Sequence, residues 1–160
     1  MPDTMDGRLE MILLHVVLVL DRLKREGPAG QRLGQRLLEC LVADLDDALR
    51  QIGLGDDSVS GRIQKLAGAL RERAQDYGFA LDAASRASAD DTVATAAQPD
   101  MLTASLVEHV YRPASAPAAQ VAAVQAAKLG TYVQHCRRAL EEISGPDVLA
   151  ARLQLPLPGA

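Results

Sequence analysis

Few residues in this chain have the type and spacing that chemistry requires. The candidates are His15, His109 and His135, the thiols Cys40 and Cys136, and the carboxylates Asp44, Asp46 and Asp47. Imidazoles and thiolates can hold a metal ion or move a proton, but these are scattered along the chain without metal-ligand or redox spacing. Two buried thiols in a reducing compartment is the economical reading of the cysteines. His15 interrupts an otherwise apolar decamer, residues 11–20. In such surroundings an imidazole bonded to a backbone or side-chain partner is commoner than a catalytic base or metal ligand. The three aspartates fall on consecutive turns of an amphipathic pattern, which describes a solvated acidic face. Gly53-Leu54-Gly55 is too short for a phosphate loop, and there is no nucleophile elbow or histidine-glutamate metal signature. The residues therefore point to no catalysis, no metal and no cofactor.

The elements that carry these residues are easier to read. On a helix over residues 6–26, Leu9, Ile12, Leu13, Val16, Leu20 and Leu23 form one stripe, while Met11, Leu14 and Leu18 are apolar on another side. A helix apolar on most sides must be surrounded. Spanning a bilayer takes about 20 apolar residues, and this run stops at Asp21, Arg22, Lys24 and Arg25, so a central core helix is expected. The 160 residues, 48% hydrophobic and 24% charged, suit a single domain able to bury roughly 70% of its unfolded surface. With aromatics at only 2%, aliphatic side chains must fill the core, which favours closely packed helices over a β-sandwich. A net charge of −4 argues against broad nucleic-acid binding, DNA included, although 17 Lys and Arg leave room for a local basic face. The acidic N-terminus lacks the basic residues of a signal peptide, so a cytoplasmic location is expected.

Along the chain, Asp3, Thr4 and Asp6 are plausible caps for the first helix, and Gly27-Pro28 reads as its stop. A second helix is expected over residues 31–52. Gly53, Gly55, Asp56 and Ser58 belong to a turn that ends it and caps the third helix, which carries Ile63, Leu66, Leu70, Tyr77 and Leu81. Gly78 within that helix costs about 1 kcal/mol relative to alanine and marks a candidate bend. Residues 85–97 read as a short helix or a loop, a fourth helix starts at Pro99-Asp100, and residues 112–117 form a linker. A last helix over 118–143 ends at Gly145-Pro146, with a helical turn near 148–153 and a mobile tail over 154–160. The expectation is one all-α domain, residues 1–153, of about five main helices around the apolar N-terminal helix.

Three blocks of sequence go further than composition. Asp6-Gly7-Arg8-Leu9-Glu10 leading into Leu13-Leu14-His15 and Leu20-Asp21-Arg22-Leu23 resembles the opening of the ubiquinol-cytochrome c chaperone family, whose members assist assembly of respiratory complex III. Gly53-Leu54-Gly55-Asp56-Asp57-Ser58-Val59, followed by Arg62, Ile63, Lys65 and Leu66, resembles the family's turn and the basic-apolar helix behind it. Residues 77–81 resemble its Tyr-x-x-Ala-Leu segment, and Leu106 to Tyr111 a later block. The likeness spans residues 2–111. It implies a non-catalytic helical chaperone that acts on newly made cytochrome b, with a second assembly factor and the ribosome exit region as further contacts. On this reading an apolar groove lined by Met11, Leu14, His15 and Leu18 shelters the client, and the turn residues Gly53, Gly55, Asp56 and Ser58 with Arg62 and Lys65 complete the partner-binding set. A basic face of Arg62, Lys65, Arg71 and Arg73 would meet the ribosome or the inner membrane surface. Two other readings stay open: a helical module pairing through its first helix, and a small-molecule or haem-binding bundle using His15 or His109.

Overall fold

Thr4 lies in extended backbone and its hydroxyl accepts the Gly7 amide at 3.0 Å, which starts the first helix with a side-chain cap. The computed structural model describes residues 4–51, 56–89, 101–112 and 115–156. They form α1 (Met5–Lys24), α2 (Gly27–Gln51), α3 (Asp56–Ala89), α4 (Met101–Leu106), α5 (Ala116–Glu142) and α6 (Gly145–Leu149). A π-helical turn, Val107–Tyr111, continues α4. No strand occurs among the described residues, so the chain is all-α as its aliphatic, aromatic-poor composition led us to expect.

Helix α1 is the centre of the packing. It touches α2, α3, α5 and the π-helical turn. Its Leu14, Val17 and Leu18 join Tyr77, Ala80 and Leu81 of α3, Leu102 and Leu106 of α4, and Ala126, Val133, Cys136 and Leu140 of α5 in one buried cluster. Small side chains on α5 let α4 and α5 approach closely, which replaces the volume that aromatics supply in other cores. Leu153 and Leu155, beyond α6, pack against the same cluster. No helix among the described residues is long and apolar enough to cross a membrane.

Several boundaries differ from the expected ones for local reasons. Gly27 has φ of +60° and ends α1 as predicted, but α2 begins there instead of at residue 31. Pro28 serves as a first-turn proline, where a missing amide hydrogen leaves no bond unmade. Gly145-Pro146 likewise opens α6, with the Ser144 hydroxyl accepting the Asp147 amide at 3.3 Å. Gly78 lies inside α3, which runs on to Ala89, and α5 starts at Ala116, within the expected linker. Residues 90–100, including most of the stretch left between helix and loop, lie outside the described residues, as does 157–160 of the expected tail. Cys136 is buried as expected, but Cys40 is exposed on α2.

The crossing of α1 and α2 is tight at one end. A Cβ at Gly30 would collide with the backbone oxygen of Leu23, and one at Gly34 would lie 3.1 Å from Leu20 Cδ2. Glycine is therefore required at the close end of the crossing, where the end of α1 meets the start of α2. Arg22, 8% exposed, holds the same end of α1 against α5: its guanidinium donates to the Leu140 and Ile143 backbone oxygens, each at 2.8 Å, and pairs with Glu26. These bonds satisfy carbonyls at the end of α5 that no helical amide can reach. Arg22, one of the charged residues that end the apolar run, is thus a buried capping group.

Candidate functional site

At the far end of that crossing α1, α2 and α3 leave a half-open groove of about 370 Å³. Two helices line it with the same spacing. Asp6, Leu9, Glu10 and Leu13 come from α1, and Arg62, Lys65, Leu66 and Ala69 from α3, each set at positions i, i+3, i+4 and i+7. That spacing places four side chains along one helix face. Leu45 of α2 and Arg112, after the π-helical turn, close the remaining sides. Leu9, Leu45, Leu66 and Ala69 are half-buried, and Leu13 is covered at the bottom, so the floor is apolar and the rim charged.

Behind the rim lies a buried ionic cluster. Glu10 is 7% exposed and Arg73 is 4% exposed. The Arg73 guanidinium donates to both Glu10 oxygens, Nη2 at 2.7 Å and Nε at 3.1 Å. Arg112 adds a third bond to Glu10, from Nη2 at 2.8 Å, and donates from Nε to the His109 backbone oxygen at 3.1 Å. The hydrogen bonds that Arg73 donates to Glu10 hold it more firmly protonated than usual, against the effect of burial. Arg112 reaches this position because its backbone is left-handed, φ 40° and ψ 61°, with its amide bonded to the Val107 oxygen at 2.9 Å. A π-helical turn followed by a left-handed arginine is a strained local arrangement, and here it aims one cation at both Glu10 and the groove.

The cluster continues away from the groove. His109 Nε2 lies 2.8 Å from Asp76 Oδ2, and its ring meets Tyr77 edge-on with centroids 5.8 Å apart. The Tyr77 hydroxyl is buried without a hydrogen-bond partner among the described residues. Burial, followed by the Glu10 charge, pushes its pKa well above the ordinary phenol value, so it is a neutral packing group. Nothing in this set pairs a nucleophile with a base. Among the described residues no three His, Cys, Asp or Glu side chains are placed to hold a metal ion.

The structure separates the residues singled out in the sequence. Arg62 and Lys65 lie on the groove. Leu14 and Leu18 do not: they are 0% and 2% exposed, sealed between α3, α4 and α5, and Met11 packs partly buried against the same cluster. The expected lining by Met11, Leu14 and Leu18 is thereby corrected, since the side of α1 they occupy is the one α5 covers. His15 is a bonded core histidine as its surroundings suggested: Nδ1 donates to the Met11 backbone oxygen at 2.7 Å, and Nε2 lies 2.9 Å from the Tyr132 hydroxyl. Burial pushes the Tyr132 hydroxyl up to about 12, which keeps it a donor to the ring. Arg73 leaves the expected basic face, because it is buried against Glu10, whereas Arg71 stays exposed. Gly53 and Gly55 lie outside the described residues, Asp56 starts α3 and Ser58 falls in its first turn.

Sequence reasoning passed over Glu10 and Arg112 as site residues. The sign for Glu10 was present, since it shares a helix face with Leu14 and Val17, where an unpaired carboxylate is too costly to bury. Arg112 gave no such sign, because its position depends on the π-helical turn.

Comparison with known proteins agrees with the all-α fold. A search of curated proteins found no match. Among solved structures, the crystal structure of the Cbp3 homolog from Brucella abortus is similar at 35% identity and a TM-score of 0.73, over 97% of this chain and 75% of that one. The sequence also matches, over residues 1–155, the family model described as Ubiquinol-cytochrome C chaperone. A fold shared with a Cbp3 homolog and a match along nearly the whole sequence lead to one conclusion: the chain belongs to the ubiquinol-cytochrome c chaperone family.

Proposed function

We propose that this chain binds newly made cytochrome b and holds one of its segments in the groove between α1, α2 and α3 while the ubiquinol-cytochrome c reductase complex is assembled. Family membership supplies the chaperone role, which implies a protein partner and points to assembly and not to catalysis. The observation that carries the finer reading is the groove itself. An apolar floor that is half open to solvent and ringed by charged side chains is suited to covering the apolar side chains of another protein for a time, then releasing them. The buried pairs at Glu10 and Arg22 keep the two ends of α1 fixed, so the groove exists before a client arrives and costs little ordering on binding.

A second assembly factor fits a different surface on this reading. Val121 and Val124 on α5 are 64% and 56% exposed, and no charged residue separates Ala116 from Lys128. Arg71, exposed on α3 outside the groove, is the cation left to face the ribosome exit region or the inner membrane surface.

The test is site-specific photocrosslinking in cells, with a probe at Leu66 in the groove and a control probe at Phe79, which is 62% exposed and about 20 Å further along α3. Recovery of cytochrome b from position 66 and not from position 79 is the expected result. Cytochrome b recovered equally from both, or from neither, would remove the groove as the client site.

A further inference from the structure

The two long walls of the groove meet an incoming charge differently. The α1 wall carries Asp6 and Glu10, and the α3 wall carries Arg62 and Lys65. Glu10 is already neutralised from behind by Arg73 at 2.7 Å and by Arg112 at 2.8 Å. Arg62 and Lys65 are exposed, and neither forms an ion pair among the described residues. With Arg112 engaged by Glu10, the lining leaves two bases, Arg62 and Lys65, against one acid, Asp6, on a chain whose net charge is −4. The local sign opposes that of the whole molecule.

A client helix that is apolar on every side fits this arrangement poorly. Laid in the groove, it would strip water from Arg62 and Lys65 and offer them nothing in return, a cost that favours a partner bringing carboxylates. The spacing of the two cations sets the register. Three residues apart on α3, they sit on one helix face less than one turn apart, so a facing helix meets both with acids three or four residues apart. A volume of about 370 Å³ accepts a few side chains of one helix face and not the whole circumference.

We propose that the groove selects an acidic amphipathic helical segment of the client, its apolar side chains on Leu9, Leu13, Leu45 and Leu66 and its carboxylates on Arg62 and Lys65. This rests on the groove being the client site and adds the chemistry by which that site chooses. Charge at the rim then governs selection and the rate of capture, while the apolar floor supplies retention.

The experiment uses the intact chain and two fluorescein-labelled helical peptides with the same leucine stripe, one flanked by Glu and the other by Lys. Fluorescence anisotropy is read at low and high salt for the wild-type chain, for R62E/K65E, and for R71E, a single charge-reversal control at an exposed position outside the groove. The expected result is binding of the Glu peptide at least about tenfold tighter than the Lys peptide, a preference that shrinks at high salt, is lost in R62E/K65E and survives in R71E. Equal affinities for the two peptides, or a preference untouched by R62E/K65E, would overturn the proposal. So would phosphatidylglycerol vesicles bound through Arg62 and Lys65 with no peptide preference, or a dimer of this chain that R62E/K65E dissociates. The outcome is independent of the crosslinking at Leu66. Cytochrome b captured there without charge preference removes this inference alone, whereas charge-selective peptide binding without cytochrome b capture removes the cytochrome b reading alone.

Discussion

The two halves of α1 come from one amphipathic run and end in opposite environments. Leu14, Val17, Leu18 and Arg22 are sealed by α3, α4 and α5, while Asp6, Leu9 and Glu10 face a groove with room for another molecule. Peak hydrophobicity does not mark the open half, since the more apolar half is the closed one. Their neighbours do. The glycines at 30 and 34 pull α2 tightly against the end of α1, and α5 covers the side bearing Leu14 and Leu18, so the groove along α1 opens beside its first turns. A surface for a client is therefore marked by a break in packing with charge around it, not by the peak of hydrophobicity.

That contrast can be broken from either half. Glu10→Ala should have the largest effect, about 3–5 kcal/mol of stability, because it strips the buried Arg73 guanidinium of its buried carboxylate and leaves it only the solvent-exposed Glu72. Denaturant unfolding would check it, and a loss below about 1 kcal/mol would show that the cluster is solvated in the free protein. Leu14→Ala, in the closed half, should cost about 2–5 kcal/mol through the cavity it opens, again by denaturant unfolding, and lower client capture only in proportion to the fraction unfolded. Leu66→Asp on the opposite wall of the groove should reverse that pattern. Stability should change by about 1 kcal/mol or less, while cytochrome b recovered by pull-down should fall about tenfold.

The smallest effect lies far from both halves, at the cap of α6. The Ser144 hydroxyl, then Arg152, hold the Asp147 carboxyl below its ordinary 3.8. A carboxyl lowered in the folded state stabilises it fully above the unfolded pKa, and that contribution is lost as pH falls through the folded value. Ser144→Ala should cost about 1 kcal/mol near neutral pH as a lost cap. It should also flatten the acid limb of the stability curve below pH 3.8, which thermal melts across acidic pH would show.

Much of this architecture was legible because helix faces repeat. The central position of α1, the inward leucines of α3 and the seam of Val133, Cys136 and Leu140 on α5 all follow from apolar spacing. Arg73 shows where a simple count of surface charges goes astray. It lies four residues after Ala69 and seven after Leu66, on the stripe that faces α1, and so belongs with Glu10 and not with exposed Arg71. Pro28 and Pro146 were read as stops, although a proline is equally at home in a helix's first turn, and local sequence alone does not choose between the two. The π-helical turn and the left-handed Arg112 have no periodic signature at all. The rim cations Arg62 and Lys65 were legible from the resemblance, whereas the groove beside them depends on how three helices diverge.

The most direct test of the groove as client site is photocrosslinking in cells from Leu66, on the groove wall, set against Leu18, in the sealed half of the same packing unit, each with the replaced side chain kept small enough to fold. Cytochrome b attached at position 66, with only intramolecular products at position 18, is the predicted result. Cytochrome b attached at position 18 and absent from position 66 would show that the client enters the core between α1 and α5, and would contradict the groove as the functional site.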